Sequence, residues 1–255
     1  MNYSAKNSML RKIIILLISI ALILSTGATL YSYADEQDRY ALTDTYNAVD
    51  GDRSIEEGDV PYVQTKEDQI LLAQKTKAMN ALLLKESTQP SSKAYGYKYL
   101  NVPLFTQQNN YYCGPANVKQ VVHYHNGSSN SQDTYARSLG TSTAGTTMTD
   151  IPPLLRSQTG KNYVYAAIGS SSTWTSRVGT NILYNNMAVV IDIIANTSYW
   201  RYNTNDGHYV TIHGVYHNGT AASVTDVAIC DPHNVYPNRY YYRTVNQAYT
   251  ANNNH

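Results

Sequence analysis

The sequence predicts an α+β fold, with helices first and an antiparallel sheet after them. Three observations carry this. Helically spaced apolar residues mark segments between about 113 and 184, and runs rich in Val, Ile and Tyr, separated by Gly, Asn and Ser, dominate after about 188. Only Cys113 and Cys230 occur in 255 residues, so at most one disulfide can form and the fold rests mainly on packing. Helices followed by antiparallel strands is the order expected of α+β architecture.

The elements follow in chain order. Lys6, Arg11 and Lys12 precede an apolar run from Ile13 to Leu24, and Ser32-Tyr33-Ala34 before Asp35 fits a small-x-small cleavage site, so residues 1–34 read as a secretory signal peptide. The run is shorter than the roughly 20 residues that span a bilayer, so export to the cell surface or medium is expected, with no membrane association after signal removal. Removal leaves 16 basic against 18 acidic residues, a charge in which nothing suggests nucleic-acid binding, so no nucleic-acid partner is expected. Residues 35–60 hold nine acidic residues and few apolar ones, an acidic lead that can bury little surface. From Thr65 to about Lys85 an amphipathic helix is expected, opened by a Thr65/Asp68 capping pattern and facing inward through Leu72, Met79, Leu82 and Leu83. QPSSKAYGY, residues 89–97, breaks it. Residues 35–96 thus form a propeptide or an N-terminal docking arm, and residues 97–255 the main domain.

In that domain Cys113 to His125 predicts a helix, because Val118, Val121, Val122 and His125 recur at helical spacing and Pro115 is tolerated in a first turn. Shorter helices are expected over Asp133–Leu139, Asp150–Ser157 and Ser172–Tyr184. Strands are expected over Tyr163–Ile168, Ala188–Ile194, His208–Tyr216, Ser223–Cys230 and Arg239–Val245. The chain has no internal repeat and no G-x-x-x-x-G-K phosphate loop.

Chemistry concentrates at Cys113. A cysteine at a helix N-terminus lies at the positive end of the helix dipole, beside backbone N–H groups with no intrahelical partner, a setting that favours a sulfur anion. Such a nucleophile needs a base, a group to orient the base, and oxyanion donors. His208, opening a strand after Asp206-Gly207, is the candidate base and is expected at a strand mouth. Asp231, where Pro232 stops a strand, is the candidate orienting acid, expected at an edge. Neighbouring strand residues face opposite ways, so an Asp231 that faces His208 turns Cys230 away and argues against a Cys113–Cys230 disulfide. Gln107, six residues before Cys113, can offer its amide beside the Cys113 N–H as an oxyanion hole, with Gln108 as the one-residue alternative in register.

Gln107-x5-Cys113-Gly114-Pro115-Ala116, then Gly207-His208-Tyr209-Val210, then Asp231-Pro232, resembles the papain-like cysteine peptidases, most of all cysteine-peptidase family thirty-nine. That family includes bacteriocin-processing double-glycine peptidases and stand-alone secreted relatives. The resemblance covers about residues 97–245, and VPLFTQQNNYYCGPA, residues 102–116, is its most specific part. It implies a papain-like cysteine peptidase fold, with N-terminal helices packed on a C-terminal antiparallel sheet. It also implies a peptide or protein substrate, Cys113 as nucleophile, His208 as general base and acid, Asp231 as the residue orienting the imidazole, and Gln107 as oxyanion donor. Papain-like peptidases are often made as zymogens, a role residues 35–96 could fill. The bacteriocin processors are fused to a transporter with a nucleotide-binding domain; the sequence holds neither, so cleavage of a double-glycine leader is not implied.

Two other readings use the same residues. One is a non-catalytic peptide- or glycan-binding module, suggested by Tyr- and Asn-rich loops such as NTSYWRYNTNDG at 196–207. The other is a thiol amidase or transferase acting on cell-wall peptides, which would bring cell-wall association. His208, His213, His217 and His233 match no compact zinc spacing, and strand alternation splits His208 from His213 and His217; no metal or cofactor is expected. His123 and His125 read as surface helix residues.

Overall fold

The computed structural model of the chain describes residues 65–88, 95–195, 200, 202–204, 207–233 and 240–254. The signal-peptide and acidic-lead readings lie outside the described residues, as does most of the 89–97 break. No helix among the described residues is long and apolar enough to cross a membrane.

Helix α1 spans Lys66–Thr88. Its start is fixed as the sequence predicts: Thr65 Oγ1 accepts from Asp68 N–H at 3.1 Å and donates to Asp68 Oδ2 at 2.8 Å. Strand β1 is Gly96–Tyr99, and helix α2 is Cys113–Asn126. The β-branched residues of α2 give it little intrinsic helical preference, so burial must supply the stability. Val118, Val121 and Val122 are essentially inaccessible, each worth roughly 1.5–3 kcal/mol. Gly127 ends the helix with φ 72°, its N–H donating to the His123 carbonyl. Helices α3 (Gln132–Ser138), α4 (Ile151–Thr159, after a 3-10 turn at Met148–Asp150) and α5 (Ser171–Leu183) follow within two residues of expectation.

Strands β2 (Val189–Ile193), β3 (His208–His217), β4 (Val224–Cys230) and β5 (Tyr240–Thr244) complete an antiparallel five-stranded sheet. The ten-residue β3 is its axis. On one edge β2 pairs with the first half of β3 (Ile193 opposite His208) and β1 with the second half (Tyr99 opposite Gly214). On the other edge lie β4 and then β5, with a bulge at His213, which the Ile212/Ile229 and Gly214/Ala228 pairs skip. Helix α6 (Val245–Asn253) closes the chain, with Ile194 N–H donating to the Ala251 carbonyl at 2.9 Å.

Two sequence expectations about the fold need correction. Tyr163–Ile168 is not a strand but irregular backbone. One edge of β3 is already filled end to end by β1 and β2, and side chains satisfy carbonyls of this segment: Arg156 donates to Tyr163 O and Arg177 to Ala167 O. The helix ends at Thr88, before the expected 89–97 break, whose last two residues, Gly96 and Tyr97, open β1. The final strand ends at Thr244, within one residue of expectation, where Thr244 and Gln247 form a capping box that opens α6. His123 and His125 are also half-buried rather than simply at the surface: His123 packs edge-on to Phe105, and His125 Nε2 lies 2.9 Å from the Tyr163 hydroxyl.

Candidate active site

Cys113 is the first residue of α2 and is buried. Gly114 explains the Cys-Gly-Pro sequence. A Cβ there would lie 2.4 Å from Thr146 Oγ1 and 2.6 Å from Thr146 Cβ, so only glycine admits the loop at 141–147 against the helix N-terminus. Tyr209 holds that loop from the sheet side, donating its hydroxyl to Thr146 O at 2.7 Å. The preceding QQNNYY segment is tied down by backbone contacts: Gln107 N–H donates to Pro232 O at 2.8 Å, Gln108 N–H to Gln132 Oε1 at 3.0 Å, and Gln132 Nε2 to Thr106 O at 2.6 Å.

Helix and sheet are joined one turn below the thiol. Asn117 is fully buried; its Nδ2 donates to Cys113 O at 2.8 Å and Tyr209 O at 2.7 Å, and its Oδ1 accepts from Thr211 Oγ1 at 2.5 Å. One side chain therefore fixes the backbone of Cys113 relative to that of the residue after His208. The i, i+4 position of Asn117 beneath Cys113 was readable in the sequence as a shared helix face.

His208 opens β3 as expected, yet it is not at an open strand mouth: it is 4% exposed. The rings of Tyr202 (5.4 Å, 88°) and His233 (5.5 Å, 75°) stand edge-on against it. Asp231 follows β4 but is 1% exposed rather than at a solvated edge, because side chains from three segments close over it. Its Oδ1 accepts from His208 Nε2 at 2.8 Å and His233 N–H at 2.9 Å; its Oδ2 accepts from the hydroxyls of Tyr202 at 2.6 Å and Tyr241 at 2.5 Å. Nε2 is engaged by Asp231, and Cys113 lies close enough to the imidazole to raise its pKa. No disulfide links Cys113 to the equally buried Cys230.

The electrostatics follow from this packing. Burial by itself would lower the His208 pKa; the charge and hydrogen bond of Asp231, then those of Cys113, outweigh it and raise the imidazole to about 10. Burial would likewise raise the Asp231 carboxyl. The charge and hydrogen bond of His208, the charge of His233 and the Tyr202 hydroxyl outweigh it, holding the carboxyl well below the usual carboxylate range. Tyr202 and Tyr241 are pushed well above the ordinary phenol value, first by burial and then by the adjacent Asp231 charge, so both hydroxyls stay protonated donors.

Gln107 is buried and Gln108 exposed, so Gln107 is the glutamine turned into the protein. Its Nε2 donates to the carbonyls of Asn109 (3.1 Å) and Asn110 (3.3 Å), while its buried Oε1 has no hydrogen-bond partner among the described residues. The structure hydrogen-bonds His208 to Asp231, sets Cys113 beside the imidazole, and leaves the Gln107 amide engaged by its own loop. Sequence reasoning missed Tyr202, Tyr241 and His233. Tyr241 could be found only from the strand register, which sets it opposite Ile229, and Tyr202 lies in the long β2–β3 connection.

A buried thiol, imidazole and carboxylate in that order is the constellation that thiol hydrolases use for acyl transfer. The Peptidase_C39 like family model matches residues 99–254, from the last residue of β1 through α6, and the chain belongs to that family. Membership agrees with the helices followed by a curled antiparallel sheet and implies a peptide substrate. Among curated proteins the chain has no match.

Proposed function

We propose that the chain is an exported cysteine peptidase that hydrolyses peptide bonds through Cys113, His208, Asp231 and Gln107. The observation that carries this reading is the buried His208 imidazole, bonded through Nε2 to Asp231 and close enough to Cys113 for the thiol to raise its pKa. The Cys113 sulfur attacks the scissile carbonyl carbon, and the oxyanion is held by the Cys113 N–H and Gln107 Nε2. Gln107 exchanges its longer bond, to Asn110 O, for the oxyanion. The C–N bond breaks as His208 gives its proton to the leaving amine. His208 then takes a proton from water, whose oxygen attacks the thioester, and the carboxylic product leaves with the thiolate restored. Asp231 stays ionised throughout and holds the ring.

Cys113→Ala is expected to abolish hydrolysis of a denatured protein substrate while circular dichroism and melting temperature are retained; undiminished cleavage would overturn the assignment. Export rests on the N-terminal pattern ending at Ala34. The expected species in the culture medium begins at Asp35, and retention of an uncleaved chain in the cells would contradict that part.

A further inference from the structure

We infer that Tyr202 and Tyr241 are positioning residues: their hydroxyls, both on Oδ2, lock the Asp231 carboxylate so that Oδ1 faces His208 Nε2 and the imidazole is held beside Cys113. The inference rests on the proposed use of Cys113 and His208 as a reacting pair. A carboxylate at a strand end can rotate about its last bond and offer either oxygen. Here three donors other than the imidazole fix it, the two hydroxyls on Oδ2 and His233 N–H on Oδ1. The hydroxyl bonds, 2.6 and 2.5 Å, are in the charge-assisted range, where strength is about twice that of a neutral bond.

Each phenol is itself held. The Tyr202 ring stacks on His233 at 4.4 Å and 13° while standing edge-on to His208, so its hydroxyl cannot swing away without disturbing the imidazole. The Tyr241 ring lies under the Arg243 guanidinium at 4.5 Å, with Trp200 against it at 6.0 Å and 85°. The titratable and charged groups facing Asp231 are therefore His208 from β3, Tyr202 from the β2–β3 connection, Tyr241 from β5 with Arg243 behind it, and His233 from its own segment. Cys113 from α2 lies beyond the imidazole. The hydroxyls draw charge out of Oδ2, so the carboxylate orients the ring without competing for its proton.

Tyr202→Phe and Tyr241→Phe remove one oxygen each and keep the rings. Two readouts are needed, and one of them uses no substrate. The first is the pH profile of iodoacetamide alkylation of Cys113, read on its own peptide by mass spectrometry. Losing donors makes the carboxylate more basic, so it holds the imidazolium proton more tightly and the step in the profile at which the imidazolium is lost moves up by about one pH unit. The second is hydrolysis, where kcat falls about tenfold for each variant and KM stays within about twofold.

In an Asp231→Asn background the Tyr→Phe changes should no longer move the profile, because the charge they act on is gone. Phe variants whose Cys113 profile matches wild type, or which shift it equally with and without the Asp231 charge, would overturn the inference. A moved alkylation profile in a protein that hydrolyses no peptide would leave the positioning role standing and remove the peptidase reading instead.

Discussion

Asn117→Ala tests how the two halves of the site are held together. The substitution removes hydrogen bonds at 2.8, 2.7 and 2.5 Å, two to carbonyls and one from Thr211, all in buried surroundings. At about 1 kcal/mol net for each, the direct loss is about 3 kcal/mol. Thr211, fully buried, is left with a hydroxyl that has lost this acceptor, which adds about 1 kcal/mol or more. The expected destabilisation is about 4 kcal/mol, a large share of a typical domain's stability but short of unfolding it. Urea denaturation followed by circular dichroism measures it as a lower midpoint at unchanged slope. Because Asn117 ties Cys113 O to Tyr209 O, kcat should also fall about tenfold to a hundredfold at 25 °C in protein that remains folded. A midpoint shift equivalent to less than about 1 kcal/mol would refute the view that this side chain joins helix to sheet.

Other expectations follow from the same geometry. His208 has a raised folded-state pKa, so its stabilisation is complete below the unfolded imidazole value of about 6.5 and is lost as pH rises toward about 10. Asp231 has a lowered one, so its stabilisation is complete above about 3.9 and is lost as pH falls. The stability gap between wild type and Asp231→Asn should therefore be widest between about pH 4 and 6.5, and a gap that grows steadily above pH 7 would contradict the sign. Gly114→Ala forces a Cβ to within 2.4 Å of Thr146 and should cost about 1–3 kcal/mol in thermal unfolding, whereas a neutral effect would show that the 141–147 loop yields freely. Gln107→Ala should lower kcat about a hundredfold with KM little changed; a pure KM effect would remove it from the oxyanion site. Asp68→Ala breaks the 2.8 Å pair with Arg156 and should loosen α1 by about 2 kcal/mol, seen as faster proteolysis within 66–88. The hydrogen bonds of α1 to Arg156, Asn162, Tyr184 and Ala221 involve none of the four site residues, and kcat is expected not to change.

The helices were legible because their apolar spacing and their stops coincide, as at Val118, Val121, Val122 and Gly127. The strands around His208 and Cys230 were legible because β-branched runs ended at Gly207 and Pro232. Cys113, His208 and Asp231 became candidates through their order and settings taken together and through the family resemblance, because each local setting alone is weak. What escaped was whatever depends on pairing across the sheet. The four-residue β1 carries no alternation, and its place is set by the half of β3 that β2 leaves open. Tyr163–Ile168 has strand composition but pairs with no strand, and side chains take up its carbonyls instead. The burial of His208 and Asp231 comes from Tyr202, His233 and Tyr241, which reach them from separate segments, and no local pattern reports that convergence.

The central claim is that the Cys113 sulfur and the His208 imidazole act as one unit. Its most direct test is the iodoacetamide labelling rate of Cys113 at pH 5, measured by mass spectrometry in wild type and in His208→Ala. Rapid labelling in wild type that collapses in the variant is the predicted result. Equal, slow labelling of Cys113 in both proteins would contradict the account.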